Sequence, residues 1–164
     1  MNPRGIAIFI ALTSCTQPDR IIEIGQRIHH DDFEYSVTAL EKTSEIKQDS
    51  ITRRAKGIFY ILNFTTENRA VRVDHPWDNE IAYVVGDNNE KYENNQDAQQ
   101  LLDKITPFHW QTKYLTPHGE TQSIRLVFDL PVTLTRPYLM VRGESLMGDV
   151  LDGHQFDHTR IKLF

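Results

Sequence analysis

Gly57-Ile58-Phe59-Tyr60-Ile61-Leu62-Asn63-Phe64 decides how this chain folds. Successive side chains of a strand point to opposite faces. Ile58, Tyr60, Leu62 and Phe64 then share one face, and Phe59 and Ile61 share the other. A strand apolar on both sides belongs in the middle of its sheet, with extra cover over one face.

Downstream, Ile124, Leu126, Phe128 and Leu130 alternate with Arg125, Val127 and Asp129. This is the clearest half-buried strand of the chain. Upstream, Phe33, Tyr35, Val37 and Ala39 alternate with Glu34, Ser36 and Thr38. Ile21 to Ile28 reads as a first strand bent at Gly25, and it should pair with the Phe33 strand across His29-His30-Asp31-Asp32. Glu41 to Lys56 carries only Ile46 and Ile51 as large apolar residues. It reads as a strand end and a long exposed loop, with Arg53-Arg54-Ala55-Lys56 solvated.

Val71 and Val73 should begin a return strand that Pro76 interrupts. Ile81 to Val85 is a strand closed by the turn Gly86-Asp87-Asn88-Asn89, which leads to Lys91-Tyr92. Ala98, Leu101, Leu102 and Ile105 have helical spacing. Asn94 or Asn95 can cap the start and Pro107 stops the run. This helix is expected to plug an open end of the sheet pair. Thr116-Pro117-His118-Gly119 is a turn, Leu139 and Val141 mark a strand, and Ile161 to Phe164 closes the chain. Eight or nine short strands at turn-rich intervals predict an all-β, immunoglobulin-like antiparallel β-sandwich with one short helix.

The chain has 164 residues, enough for one domain that buries a core without staples. It carries 18 Lys and Arg against 23 Asp and Glu, a net charge of −5. That balance argues against a general nucleic-acid binder, which needs a basic face to displace counterions, and leaves Arg53-Arg54-Ala55-Lys56 as the only candidate for a local basic patch.

The N-terminus has its own pattern. Arg4 precedes the uncharged run Gly5 to Leu12, which would span only ~12 Å as a helix, too short for a ~30 Å bilayer core. Leu12-Thr13-Ser14-Cys15 follows and holds the only cysteine. The segment resembles the bacterial lipobox. That resemblance implies a signal peptide over residues 1–14, lipid attachment to the Cys15 thiol, a tether over 15–20 and a sandwich domain over 21–164. Removing Arg4 would leave 17 basic against 23 acidic residues, or −6. Because Thr16 is not Asp, the resemblance further implies an outer-membrane destination if the source is Gram-negative. The competing reading makes residues 1–14 a first strand and Cys15 a buried apolar residue.

A second resemblance rests on Ile24-Gly25 with Phe33-Glu34-Tyr35-Ser36-Val37, on Lys56-Gly57-Ile58-Phe59-Tyr60-Ile61 leading to Asn68, and on Leu115-Thr116-Pro117-His118-Gly119-Glu120 leading to Leu126-Val127-Phe128-Asp129-Leu130-Pro131. Together with the lipobox, these blocks resemble the telokin-like, immunoglobulin-like domains of bacterial lipoproteins and secreted antigens, a domain of unknown function. The resemblance implies a fold and an envelope location and supplies no catalytic residues.

Candidate chemistry is sparse. His29, His30 and Asp32 form one cluster and His154, Asp157 and His158 a second, and imidazole with carboxylate suits zinc, copper or nickel. On an extended strand His154 and His158 would stand ~13 Å apart, so a shared ion needs a folded loop. Asp87-Asn88-Asn89-Glu90 offers oxygen ligands without calcium-loop spacing, and a hairpin turn accounts for it. No nucleophile motif is present: Gly143-Glu144-Ser145-Leu146-Met147-Gly148 places its second glycine one residue late for a nucleophile elbow. Trp77 and Trp110 are either rim anchors or core residues with a satisfied N–H. The expectation is a non-catalytic module needing no cofactor. It would be tethered to membrane lipid through Cys15 and would bind an envelope protein or other envelope component. A periplasmic metal-binding protein using the His/Asp clusters is the alternative.

Overall fold

The computed structural model describes residues 20–30, 32–87, 89–105, 113–142 and 159–164. The strands are β1 (Arg20–Ile22), β2 (Arg27–His30), β3 (Phe33–Gln48), β4 (Ile51–Asn68), β5 (His75–Asp78), β6 (Ala82–Val85), β7 (Lys91–Tyr92), β8 (Lys113–Thr116), β9 (Thr121–Leu130), β10 (Tyr138–Val141) and β11 (Thr159–Lys162). One helix, α1 (Gln96–Ile105), lies between β7 and β8. The strands form a five-stranded sheet in the order β1-β11-β10-β6-β7, a four-stranded sheet in the order β2-β3-β4-β9, and the small pair β5-β8. This is the expected β-sandwich with one short helix.

β4 sits inside its sheet, between β3 and β9. Tyr60, Leu62 and Phe64 pair with Phe128, Leu126 and Ile124 of β9. These side chains face the five-stranded sheet and form the main core with Val84, Leu139, Val141 and Ile161. Burying a large apolar side chain contributes ~1.5–3 kcal/mol, so this layer is the main source of stability. The second face of β4 is covered too. Phe59 and Ile61, with Ile46 and Val127, pack against Ala98, Leu101 and Leu102 of α1. The helix therefore roofs the outer face of the four-stranded sheet and does not plug an end. The apolar pair Phe59 and Ile61 needs that roof.

Four further expectations are corrected. First, Ile21 to Ile28 is not one strand. β1 belongs to the five-stranded sheet and β2 to the other. The chain changes sheets at Gly25, whose φ of +90° suits glycine and whose N–H donates to Val37 O. β1 also runs parallel to β11, so the sandwich is not wholly antiparallel. The β2–β3 hairpin forms as expected, with Arg27 opposite Ser36 and His30 opposite Phe33.

Second, Glu41 to Lys56 is no loop. β3 and β4 continue as a two-stranded arm to a turn at Asp49, where φ is +51°. Gly57, expected to open a strand, lies inside β4. A Cβ there would collide with the Leu130 carbonyl oxygen, so glycine lets β9 approach. Third, Val71 and Val73 are exposed and precede β5, and Pro76 lies within β5 opposite Leu115. Asn68 holds this stretch. Its buried amide donates to Val73 O and Thr116 O and accepts from Ala70 N. Fourth, the strand count among the described residues is eleven, because β1, β5, β7 and β8 are short pieces with little periodicity of their own.

The β6–β7 hairpin is as expected, with Asn89 at a φ of +60°. Asn95 caps α1, its Oδ1 accepting from Ala98 N at 3.0 Å. The lipobox, Cys15 and the tether up to Asp19 lie outside the described residues, and the sandwich begins with β1 at Arg20.

Candidate binding groove on the sandwich flank

The end of β9 and the short edge strand β7 meet along one flank and leave a groove of about 580 Å³ between them. This lies within the ~300–1,000 Å³ range of small-ligand sites. Lys56 and Gly57 of β4, Asp129 at the end of β9, Lys91 and Tyr92 of β7, and Asn94 ahead of α1 are among its walls.

The acidic groups here are already engaged. Asp129 accepts Lys56 N at Oδ2, at 2.8 Å, and Gly57 N at Oδ1, at 2.9 Å. The carboxylate thus satisfies two successive amides where the β3–β4 pairing is irregular. Glu93 receives Arg142 Nη2 at 2.6 Å on each oxygen. The Arg142 guanidinium and the Lys91 ammonium both stand over Tyr83, at 5.1 and 4.7 Å from the ring centroid. Lys91 and Lys56 have no carboxylate partner among the described residues. The open charge of the groove is therefore positive.

Asn94 is buried in the wall. Its Nδ2 donates to Gln99 Oε1 and Val127 O, while its Oδ1 has no hydrogen-bond partner. Gln99 closes the neighbouring edge of β9. Its Nε2 donates to Arg125 O and its Oε1 accepts from Val127 N. One side-chain amide stands in for a peptide of the next strand. A second groove, of about 550 Å³, lies along the β3–β4 arm and is lined by Glu45, Lys47, Thr52, Arg53 and Arg54. Glu45 engages Lys47, and Arg54 Nε lies 3.8 Å from it. Its hydrogen bond from Lys47 holds the half-buried Glu45 carboxyl below the usual range.

The first His/Asp cluster does not converge. His29 is exposed, with Nδ1 3.7 Å from Glu34 Oε1. It borders a ring in which Arg27 bonds Glu34 and Glu67, and Arg69 bonds the same two carboxylates. His30, the next residue of β2, is buried on the opposite face. Asp32 follows β2, its carbonyl accepting from Arg69 N. Among the described residues no three metal-ligating groups gather. His154, Asp157 and His158 lie outside the described residues, as do Trp110, Asn88 and the Gly143 to Gly148 segment. Asp87 accepts from Thr135 Oγ1 at the β6–β7 turn. Trp77 is a core residue whose Nε1 donates to Thr116 Oγ1.

Two features escaped the sequence reading. The groove draws on residues as far apart as Lys56 and Thr133, with no local motif to announce it. His75 is buried, stacks on Phe33 at 4.0 Å between centroids, and lies 2.9 Å from Tyr35 Oη through Nε2. Burial, and then the nearby His30, pushes its pKa down to about 4. A histidine held neutral in an aromatic layer is a core element.

No family model and no curated protein sequence matches the chain. Solved structures do. A conserved hypothetical protein from Bacillus anthracis superposes with a TM-score of 0.58 at 15% identity, over 73% of this chain and 88% of that one. An uncharacterised β-sandwich protein from Clostridium difficile gives 0.52 at 11% identity, over 99% and 100%. The secreted protein MPT63 from Mycobacterium tuberculosis gives 0.51 at 10% identity, over 79% and 94%. At such identities the likeness is one of fold, and the chain is an immunoglobulin-like β-sandwich.

Proposed function

We propose that this chain is a non-catalytic binding module of the bacterial cell envelope, held at the membrane by lipid on Cys15 and taking its partner in the flank groove. The observation that carries the binding role is the groove's charge state. Both of its carboxylates are engaged within the protein, while Lys56 and Lys91 have no carboxylate partner among the described residues. The envelope location draws support from the lipobox-like Leu12-Thr13-Ser14-Cys15 and from the sandwich neighbour described as secreted. A lipid anchor needs more than one acyl chain to hold stably, which a lipobox cysteine would receive.

The test is in-cell cross-linking of the tagged full chain, followed by membrane fractionation and mass spectrometry. Wild type runs beside Cys15→Ala and beside Lys56→Glu/Lys91→Glu. The proposal expects membrane-bound wild type with a specific cross-linked partner. Cys15→Ala should release the protein, and the charge-reversed groove should lose the partner while staying membrane-bound. Equal membrane recovery of wild type and Cys15→Ala would refute the anchor. A partner retained at full yield by the groove variant would refute the site.

A further inference from the structure

The flank groove and the arm groove lie along one strand. The arm groove reaches Arg54 of β4, and the flank groove begins at Lys56. In the arm, Glu45 pairs with Arg54 and Lys47 with Thr52, so these four share a face, while Arg53, opposite Ile46, alternates to the other face and is still among the residues lining the arm groove. Five cations line the two grooves, Lys47, Arg53, Arg54, Lys56 and Lys91, against the three carboxylates Glu45, Glu93 and Asp129. All three carboxylates have partners within the protein. Arg53, Lys56 and Lys91 have no carboxylate partner among the described residues. This basic track stands on a chain whose net charge is −5. From Thr52 to Gly57 it runs at most ~17 Å at 3.3 Å per residue, the β3–β4 pairing being irregular between Arg54 and Phe59, and a ligand that meets both grooves is an extended one.

We infer that the track binds an anionic polymer of the envelope, a chain carrying phosphodiester or carboxylate groups at regular intervals. The inference rests on the binding role proposed above and names its ligand class. Spaced cations on an otherwise acidic surface suit spaced anions. The remaining acidic surface repels polyanions elsewhere on the molecule, so the track sets the register of binding.

The experiment is a binding titration of the purified full chain in nonionic detergent. The probes are poly(glycerol phosphate), polygalacturonate, neutral dextran, duplex DNA and phosphatidylglycerol vesicles. Binding to the first or second polymer, weakened by salt and absent with dextran, is expected, and the stronger of the two identifies the anion. Arg53→Glu/Arg54→Glu/Lys56→Glu/Lys91→Glu should weaken it on the order of a hundredfold, since each cation near an anionic surface contributes a few-fold. Arg72→Glu, an exposed change off the track, should weaken it less than threefold. Circular dichroism checks the fold, and Lys56→Gln/Lys91→Gln repeats the test if the fourfold variant unfolds. Three results overturn the inference: no binding to either polymer, equal binding to DNA or to vesicles, or an equal loss with Arg72→Glu. If polymer binding is absent while a protein partner cross-links in cells, the binding role survives and the polymer does not.

Discussion

Gln99 supplies the sharpest test of how α1 is held. It is fully buried and makes four hydrogen bonds: Oε1 accepts from Val127 N at 3.1 Å and Asn94 Nδ2 at 2.8 Å, and Nε2 donates to Arg125 O and Asp103 Oδ1, both at 2.8 Å. Gln99→Ala leaves the Val127 N–H and Arg125 C=O without partners under the helix. Each unsatisfied buried group costs ~1–3 kcal/mol, so the two together cost about 2–6 kcal/mol. That is a large share of a stability of ~5–15 kcal/mol. Gln99→Glu keeps the size and the acceptor, loses both donated bonds, and faces the Asp103 carboxyl, whose pKa burial already raises. The new carboxyl should have a folded pKa above its unfolded one. The penalty is therefore greatest at neutral pH and shrinks as acid protonates the group. The assay is urea unfolding at pH 7 and pH 4.5, with hydrogen exchange at the Val127 amide. A loss under ~0.5 kcal/mol for both variants, with Val127 still protected, would refute the edge-capping role, because surface changes typically fall in that range.

Three further outcomes are expected. Gly57→Ala forces β4 away from the Leu130 carbonyl and should cost ~1–3 kcal/mol in chemical denaturation, as overpacking does; its amide bond to Asp129 should weaken with it, and a neutral result would mean that β9 does not approach there. His75 has a folded pKa lowered to about 4 from 6.5, so the stability it supports is full above pH 6.5 and is lost as pH falls toward 4; His75→Gln should be ~1 kcal/mol less stable at pH 7 yet flatten the stability profile across that window in thermal melts. Chelated and zinc-reloaded protein should show no ion whose binding needs both His29 and His30, since they lie on opposite faces of β2; elemental analysis of wild type against each alanine variant decides it.

The central strand was legible because its signal is local. Alternation within Ile58 to Phe64 states that both faces are covered, and the two apolar clusters above and below it agree. The helix was legible from its spacing and from its cap at Asn95. Its seat was not, because nothing in a single sequence says that Gln99 will meet the edge of β9. The arm was misread for the opposite reason. Thr43 to Lys47 and Thr52 to Lys56 are mostly exposed on both faces, so no alternation marks them as strands. The β-branched Thr43, Ile46, Ile51 and Thr52, together with Asp49-Ser50 as a turn, were the available signal. Arg53 and Arg54 were visible as basic residues in the sequence. That Lys56 and Lys91 line one groove depends on the tertiary fold.

How a partner would be recognised follows from how the sheet edges are protected. An edge strand binds another chain by offering unpaired N–H and C=O groups. Along the flank, that route is narrow. β7 is two residues long. On β9, Arg125 O and Val127 N are taken by Gln99, and Val127 O by Asn95 N and Asn94 Nδ2. What the flank presents is side chains, chiefly the ammonium groups of Lys56 and Lys91. Strand addition and groove binding then make opposite predictions for one variant. Gln99→Ala weakens the seat of α1 over β9; where the helix lifts, the freed β9 backbone should promote self-association while both lysines stay in place. Sedimentation of that variant against Lys56→Gln/Lys91→Gln separates the two modes. If the envelope partner is lost with the lysines and kept when the β9 edge is opened, side chains carry the recognition.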